Sequence, residues 1–118
     1  MSDPVYLLLE LEIKSGEMDN FKVLVNEMVK ATQEEPNTLN YEWTLSGDGK
    51  TCHVYERYAD SEASMTHLGS FGKNFAERFL SVVTPTRLVV YGNPSDEVKQ
   101  ALADFGPVFM APIGGFAR

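Results

Sequence analysis

Leu39-Asn-Tyr-Glu-Trp-Thr-Leu45, Ser46-Gly-Asp-Gly-Lys50 and Thr51-Cys-His-Val-Tyr-Glu-Arg-Tyr58 form the stretch whose reading decides the fold. Two runs rich in aromatic and β-branched residues flank a short Gly/Asp loop, the pattern of an antiparallel hairpin. With Ser46 opposite Thr51, the register sets Leu45 against Cys52, Trp43 against Val54 and Tyr41 against Glu56. Side chains alternate along a strand, so one face carries Leu39, Tyr41, Trp43, Leu45, Cys52, Val54, Glu56 and Tyr58. The other carries Asn40, Glu42, Thr44, His53, Tyr55 and Arg57. Glu56 is the odd member of its face, a carboxylate among rings and aliphatic groups that must be paired if it is buried.

Upstream, Val5 to Lys14 alternates as a strand with Val5, Leu7, Leu9, Leu11 and Ile13 on one side. Ser15 is placed to cap a helix over about residues 17–34, whose stripe of Met18, Phe21, Leu24, Val25 and Met28 has helical spacing. Pro36 stops it, because the residue before a proline leaves the α region. Downstream, Asp60 or Ser61 caps a second helix with Ser64, His67, Leu68 and Phe71 on its inner side and His67 at the flank. Gly69 and Gly72 are expected to break or kink this helix before Phe75, Ala76, Phe79 and Leu80 resume an apolar face. Arg87 to Tyr91 is a fourth strand, closed by Gly92-Asn-Pro94.

The order β-α-β-β-α-β predicts an α+β, ferredoxin-like fold, with two helices on one face of a four-stranded antiparallel sheet. The opposite face then exposes Tyr6, Leu8, Tyr55 and Val89 or Tyr91, a patch that a homodimer would bury. Beyond a core over residues 5–92 lies an extension, 93–118. It holds a Ser95-capped helix with Val98, Ala101, Leu102 and Phe105, and a tail from Gly106 with Val108, Phe109, Met110, Ile113 and Phe116. The tail carries no charge before Arg118 and is expected to dock on the dimer or at a pocket mouth.

The 118 residues suit one domain, 1–118, which at this size buries ~65% of the unfolded surface. Ten Lys and Arg against 17 Asp and Glu leave a net charge of -7, which argues against nucleic acid and anionic membranes as partners. The start Met-Ser-Asp-Pro lacks a basic region and Val5 to Leu9 is too short an apolar run for a signal or a span, so a cytoplasmic location is expected. One cysteine, Cys52, makes no internal disulfide. The two histidines lie on different elements without ligand spacing, so no metal is expected. Gly47-Asp-Gly-Lys50 is a turn and not a phosphate loop, and Gly114-Gly115 has no dinucleotide fingerprint. What remains is an aromatic-lined space between the hairpin's inner face and the second helix, with Glu56 and His67 as its titratable groups. Such a space suits a small aromatic ligand.

Glu35-Pro36, Tyr41-Glu-Trp43, Tyr55-Glu-Arg-Tyr58, the following Asp60-Ser61 and His67 together resemble the antibiotic biosynthesis monooxygenase family over about residues 5–92. The resemblance implies a dimeric α/β barrel, with two sheets face to face, and a cofactor-independent oxidation of a phenol, quinol or anthrone by dioxygen. It also implies site roles. His67 would be the base, since an unperturbed imidazole titrates near ~6.5, and Glu56 its orienter. Tyr41, Trp43 and Tyr58 would stack on or hydrogen-bond the ring, with Phe71 and Phe75 as wall. Other readings on the same scaffold are a non-catalytic ligand-binding dimer, an isomerase of small hydroxy-ketones, and a haem-degrading relative. Haem degraders pair an Asn on strand one and a Trp ending strand three with the helix-two histidine. Here strand one has no Asn and Tyr58 stands for the Trp, which disfavours haem.

Overall fold

The computed structural model describes residues 3–118; Met1 and Ser2, at the start read above, lie outside the described residues. The elements are β1 (Val5–Ile13), α1 (Met18–Gln33), β2 (Thr38–Leu45), β3 (Thr51–Tyr58), α2 (Ser61–Asn74), α3 (Ala76–Val82), β4 (Val83–Gly92), α4 (Asp96–Leu102), a 3₁₀ turn (Ala103–Phe105) and β5 (Val108–Met110). The hairpin register is the expected one, with Trp43 opposite Val54, Tyr41 opposite Glu56 and Leu45 opposite Cys52. Its loop is closed by Ser46 N–H donating to the Thr51 carbonyl at 2.8 Å. Asp48 Oδ1 braces the turn by accepting from both Ser46 Oγ and Lys50 N.

β1 lies at the centre, antiparallel to β3 and β4, in the order β2-β3-β1-β4-β5. The fold is thus α+β and ferredoxin-like, but the sheet has five strands where four were expected, and it is open within one chain. The added strand, β5, runs parallel to β4. It comes from the extension, where Val108-Phe-Met110 can pair because the turn at Gly106, φ 59°, brings the chain back to the sheet edge.

Two groups of buried side chains fill the space under the helices. Leu11, Phe21, Leu24, Met28, Val54 and Phe79 pack beneath α1 and α3. Val5, Leu7, Tyr58, Leu88, Val90, Val98 and Leu102 pack beneath α2 and α4. Leu9 touches both groups, so the seam between them runs across the middle of the sheet. The candidate site sits on this seam.

Several local expectations are corrected. Ser15 does not cap α1; Glu17 holds the cap position, without a side-chain cap hydrogen bond. The second helix is indeed broken, but at Phe75, with φ -132° and ψ -22°, and not at Gly69 or Gly72, which remain inside α2. The strain-free backbone of a helical glycine simply continues the turn when its neighbours pack. Leu39 leaves the inner face because the β2–β3 register shifts between Thr38 and Asn40, and it is exposed. β4 begins at Val83, ahead of the expected Arg87, because a register shift between Glu10 and Leu11 accommodates Pro85, which has no N–H for the ladder. Its end demands a glycine: Gly92 has φ +107°, and a Cβ there would run into the Pro4 carbonyl oxygen.

Candidate functional site

Local structure brings three side chains together from distant parts of the chain. Glu56 and Tyr58 are two apart on β3 and therefore share its inner face, where the Tyr58 hydroxyl donates to Glu56 Oε1. α2 is fixed at its start by the Asp60 side chain, which accepts from Ala63 N at 2.8 Å. That cap sets the helix phase, so that Ala63, Ser64 and His67 turn inward. Glu35 stands after the C-terminal end of α1, where its N–H donates to the Thr32 carbonyl at 2.9 Å and its Oε1 accepts from Thr38 Oγ1 at 2.9 Å.

His67 bridges the two carboxylates. Its Nδ1 lies 2.9 Å from Glu35 Oε1 and its Nε2 3.5 Å from Glu56 Oε1. The ring is flanked by Tyr41 and Tyr58, with centroids at 5.2 and 5.4 Å. His67 was expected on the flank of the helix; it is 5% exposed and Glu56 7%. Burial pushes the Glu56 carboxyl up from its usual range, and the neighbouring imidazole opposes that shift. The Tyr41 and Tyr58 hydroxyls are also raised, first by burial and then by the Glu56 charge. With Nδ1 against Glu35, Nε2 is the ring nitrogen that faces Glu56.

Glu56 and His67 stand in the wall of a cavity of about 60 Å³. Tyr41, Trp43, Phe71 and Phe79 supply its aromatic lining, and Leu9 and Val54 its floor on the sheet. Tyr58 and Phe75 are not on the wall: Tyr58 is fully buried behind Glu56, and Phe75 packs partly buried against the α1-side core. Trp43 Nε1 is buried and has no hydrogen-bond acceptor among the described residues. Cys52 is apart from this chemistry, its thiol raised by burial to about 11.

Glu35, Phe79, Leu102 and Phe105 take part although the sequence did not single them out as site residues. Glu35 had a signal, a carboxylate next to the proline that ends α1, but nothing local says that this corner meets α2. Leu102 and Phe105 reach the cavity from the extension. Among the described residues no cluster of three or more His, Cys, Asp or Glu is placed to hold a metal ion, and no helix is long and apolar enough to cross a membrane.

The family model described as antibiotic biosynthesis monooxygenase matches residues 4–72. No curated protein matches the sequence at a significant level. Among solved structures, the crystal structure of MupZ from Pseudomonas fluorescens is similar over 100% of this chain and 91% of its own, with a TM-score of 0.88 at 24% identity. Rv0793 from Mycobacterium tuberculosis matches 79% of this chain and 96% of its own, with a TM-score of 0.65 at 23% identity. SO0527 from Shewanella oneidensis matches 79% and 93%, with a TM-score of 0.68 at 16% identity. These likenesses are of fold. They also divide the molecule, since the likeness to MupZ takes in the C-terminal extension along with the rest.

Proposed function

The chain belongs to the antibiotic biosynthesis monooxygenase family, and from that membership we propose that it oxidises a small electron-rich phenol or quinol with dioxygen, without a cofactor. The observation that carries this reading is the Glu56–His67 pair in the wall of a cavity otherwise made of rings and aliphatic groups. His67 takes the phenolic proton, and Glu56 stabilises the imidazolium that results. The phenolate, unlike the phenol, is electron-rich enough for a ring carbon to reduce dioxygen directly. A C–O bond forms at that carbon as a hydroperoxide. Loss of the ring hydrogen as a proton and scission of the O–O bond then give a quinone carbonyl, and the proton held at His67 leaves with the second oxygen as water. All four electrons come from the substrate, so no further reductant is needed.

The walls serve this chemistry by excluding water and holding the ring. Tyr41 and Trp43, which line the cavity, are placed to stack on it. At about 60 Å³ the cavity is smaller than the ~150 Å³ that holds benzene in an engineered core, so a single ring enters as the walls give way, and a haem macrocycle does not fit. Tyr58 acts behind the wall, by holding Glu56. The outer face of the sheet supports a homodimer, as the fold family implies.

Dioxygen uptake with a series of monocyclic and bicyclic phenols and quinols tests the reading, with one atom of labelled dioxygen expected in the product. Binding without uptake across the series would overturn it. A second reading, an isomerase of small hydroxy-ketones, is favoured by one feature: a buried carboxyl 3.5 Å from an imidazole can serve as acid and base in turn. It predicts hydrogen exchange at a substrate carbon in the absence of oxygen.

A further inference from the structure

An imidazole held between two carboxylates has two different neighbours, and here they differ in kind. Glu56 lines the cavity and Glu35 does not. Glu35 instead borders a surface cleft of about 140 Å³ with Thr38, Asp60, Glu62 and Thr66, none of which borders the cavity. The closer contact is the outer one, at 2.9 Å to Nδ1 against 3.5 Å from Nε2 to Glu56. Glu35 is itself held still: Thr38 Oγ1 donates to the same Oε1 at 2.9 Å, the Glu35 N–H is tied to Thr32, and Pro36 restricts its backbone.

We propose that Glu35 is the positioning residue of the site. It fixes His67 in the Nδ1–H tautomer and stabilises the imidazolium from outside the cavity, so that Nε2 is the nitrogen offered to Glu56 and to a bound ligand. The logic is that of an orienting carboxylate behind a catalytic imidazole. It rests on the reading of the cavity as a place of proton removal, and it moves the orienting role from Glu56 to Glu35. Glu56 is then free to act inside the cavity as the partner that shares the proton. The groups facing the His67 ring are Glu35 from the end of α1, Tyr41 from β2, and Glu56 and Tyr58 from β3. Of these, only Glu35 meets Nδ1.

Glu35→Gln is the informative variant, because the amide oxygen can still accept the Nδ1–H bond while the charge is gone. In the intact protein, imidazole nitrogen NMR should show a proton on Nδ1 of His67 with a far-downfield resonance, moving upfield in Glu35→Gln. Turnover of a quinol by that variant should fall about tenfold or more in kcat with KM within about twofold, and Glu35→Asp should recover part of the loss. A wild-type His67 protonated on Nε2 alone, or a resonance unmoved in Glu35→Gln, would overturn the inference. So would an unchanged kcat in Glu35→Gln, which would mark the contact as structural. If the wild-type protein turns over no quinol, the proposed reaction fails, and the NMR arm still decides the role of Glu35.

Discussion

Glu56 is the residue at which the sequence spoke most clearly. A strand that alternates in and out exposes an inward carboxylate to any reader who fixes the register, and the hairpin loop fixed it. Its titration has a measurable consequence. The folded-state carboxyl is raised by burial, so between its ordinary range near ~4.3 and the raised value the folded protein holds a proton that the unfolded chain has lost. Stability contributed through Glu56 therefore falls as pH rises through that window and is level above it. Glu56→Gln keeps an acceptor for Tyr58 without the charge, and its stability relative to wild type should increase from pH 5 to pH 8. Urea midpoints at both values measure this; a constant difference would mean that Glu56 is fully ionised in the fold throughout. His67→Ala should reduce turnover by ~100-fold or more if the imidazole is the base. Because His67 is buried between two carboxylates, the same change should cost about 1–3 kcal/mol by removing a hydrogen-bond partner that Thr38 and Tyr58 only partly replace. An active His67→Ala protein would place the chemistry elsewhere. Glu35 was not legible as a partner of His67, because the contact joins residues 32 apart and only packing creates it.

Among the elements, those defined by periodicity and caps were legible. The α1 stripe, the Asp60 and Ser95 caps and the hairpin all depend on local chemistry, and all are present. Those decided by packing were not. The helix break falls at Phe75, whose φ of -132° and ψ of -22° end α2 and turn α3 so that Phe79 enters the core beneath α1. The extension illustrates the same point. Its helix α4 was expected, but the sequence did not say that it would roof the cavity. Leu102 is 2% exposed in the core and Phe105 is 39% exposed at the rim. Leu102→Ala should therefore cost about 2–5 kcal/mol in chemical unfolding, whereas Phe105→Ala should cost much less. Phe105→Ala should instead widen the mouth and strengthen binding of a bicyclic naphthol relative to a monocyclic phenol. Trp43, the one tryptophan of the chain, lines the cavity and reports this by fluorescence. An unaltered preference would show that the extension covers the cavity without shaping what enters it.

The whole molecule leaves one face of its sheet without helices, and the charge and ring pattern of that face is the basis of the last prediction. Leu8 and Tyr55 are directly paired across β1 and β3, and Leu8 and Val89 across β1 and β4. Val108 and Met110 pair with Val89 and Tyr91, so β5 widens the same outer face. Both are exposed in the single chain, as is Tyr91, and the tail continues with Ile113 at 103% and Phe116 at 82% exposure. Of the residues that the sequence put on this face, Tyr91 is exposed, Tyr6, Leu8 and Tyr55 are half-buried and Val89 is buried; the extra strand was not foreseen, because a three-residue edge strand carries too little pattern to read. Phe116 shares a cleft with Tyr6, Tyr91 and Met110, so the tail ends beside this face and would be covered with it. A second copy, turned by a two-fold axis, would offer the same patch in return and bury both. Light scattering at micromolar concentration should then give twice 13.2 kDa, or 26.4 kDa. Tyr55 lies between Leu8 of β1 and Glu42 of β2, so a carboxylate there would meet an apolar side chain on one side and a like charge on the other, with Arg57 already stacked on Tyr6. Tyr55→Asp should weaken association by about 3 kcal/mol, a factor of 100 or more in Kd, so that sedimentation at low micromolar concentration shows monomer. The hairpin and cavity would remain, and the Trp43 fluorescence of the monomer should stay close to that of the wild type. A wild-type mass of 13.2 kDa, or a Tyr55→Asp protein that remains dimeric, would show that this face is not where two copies meet.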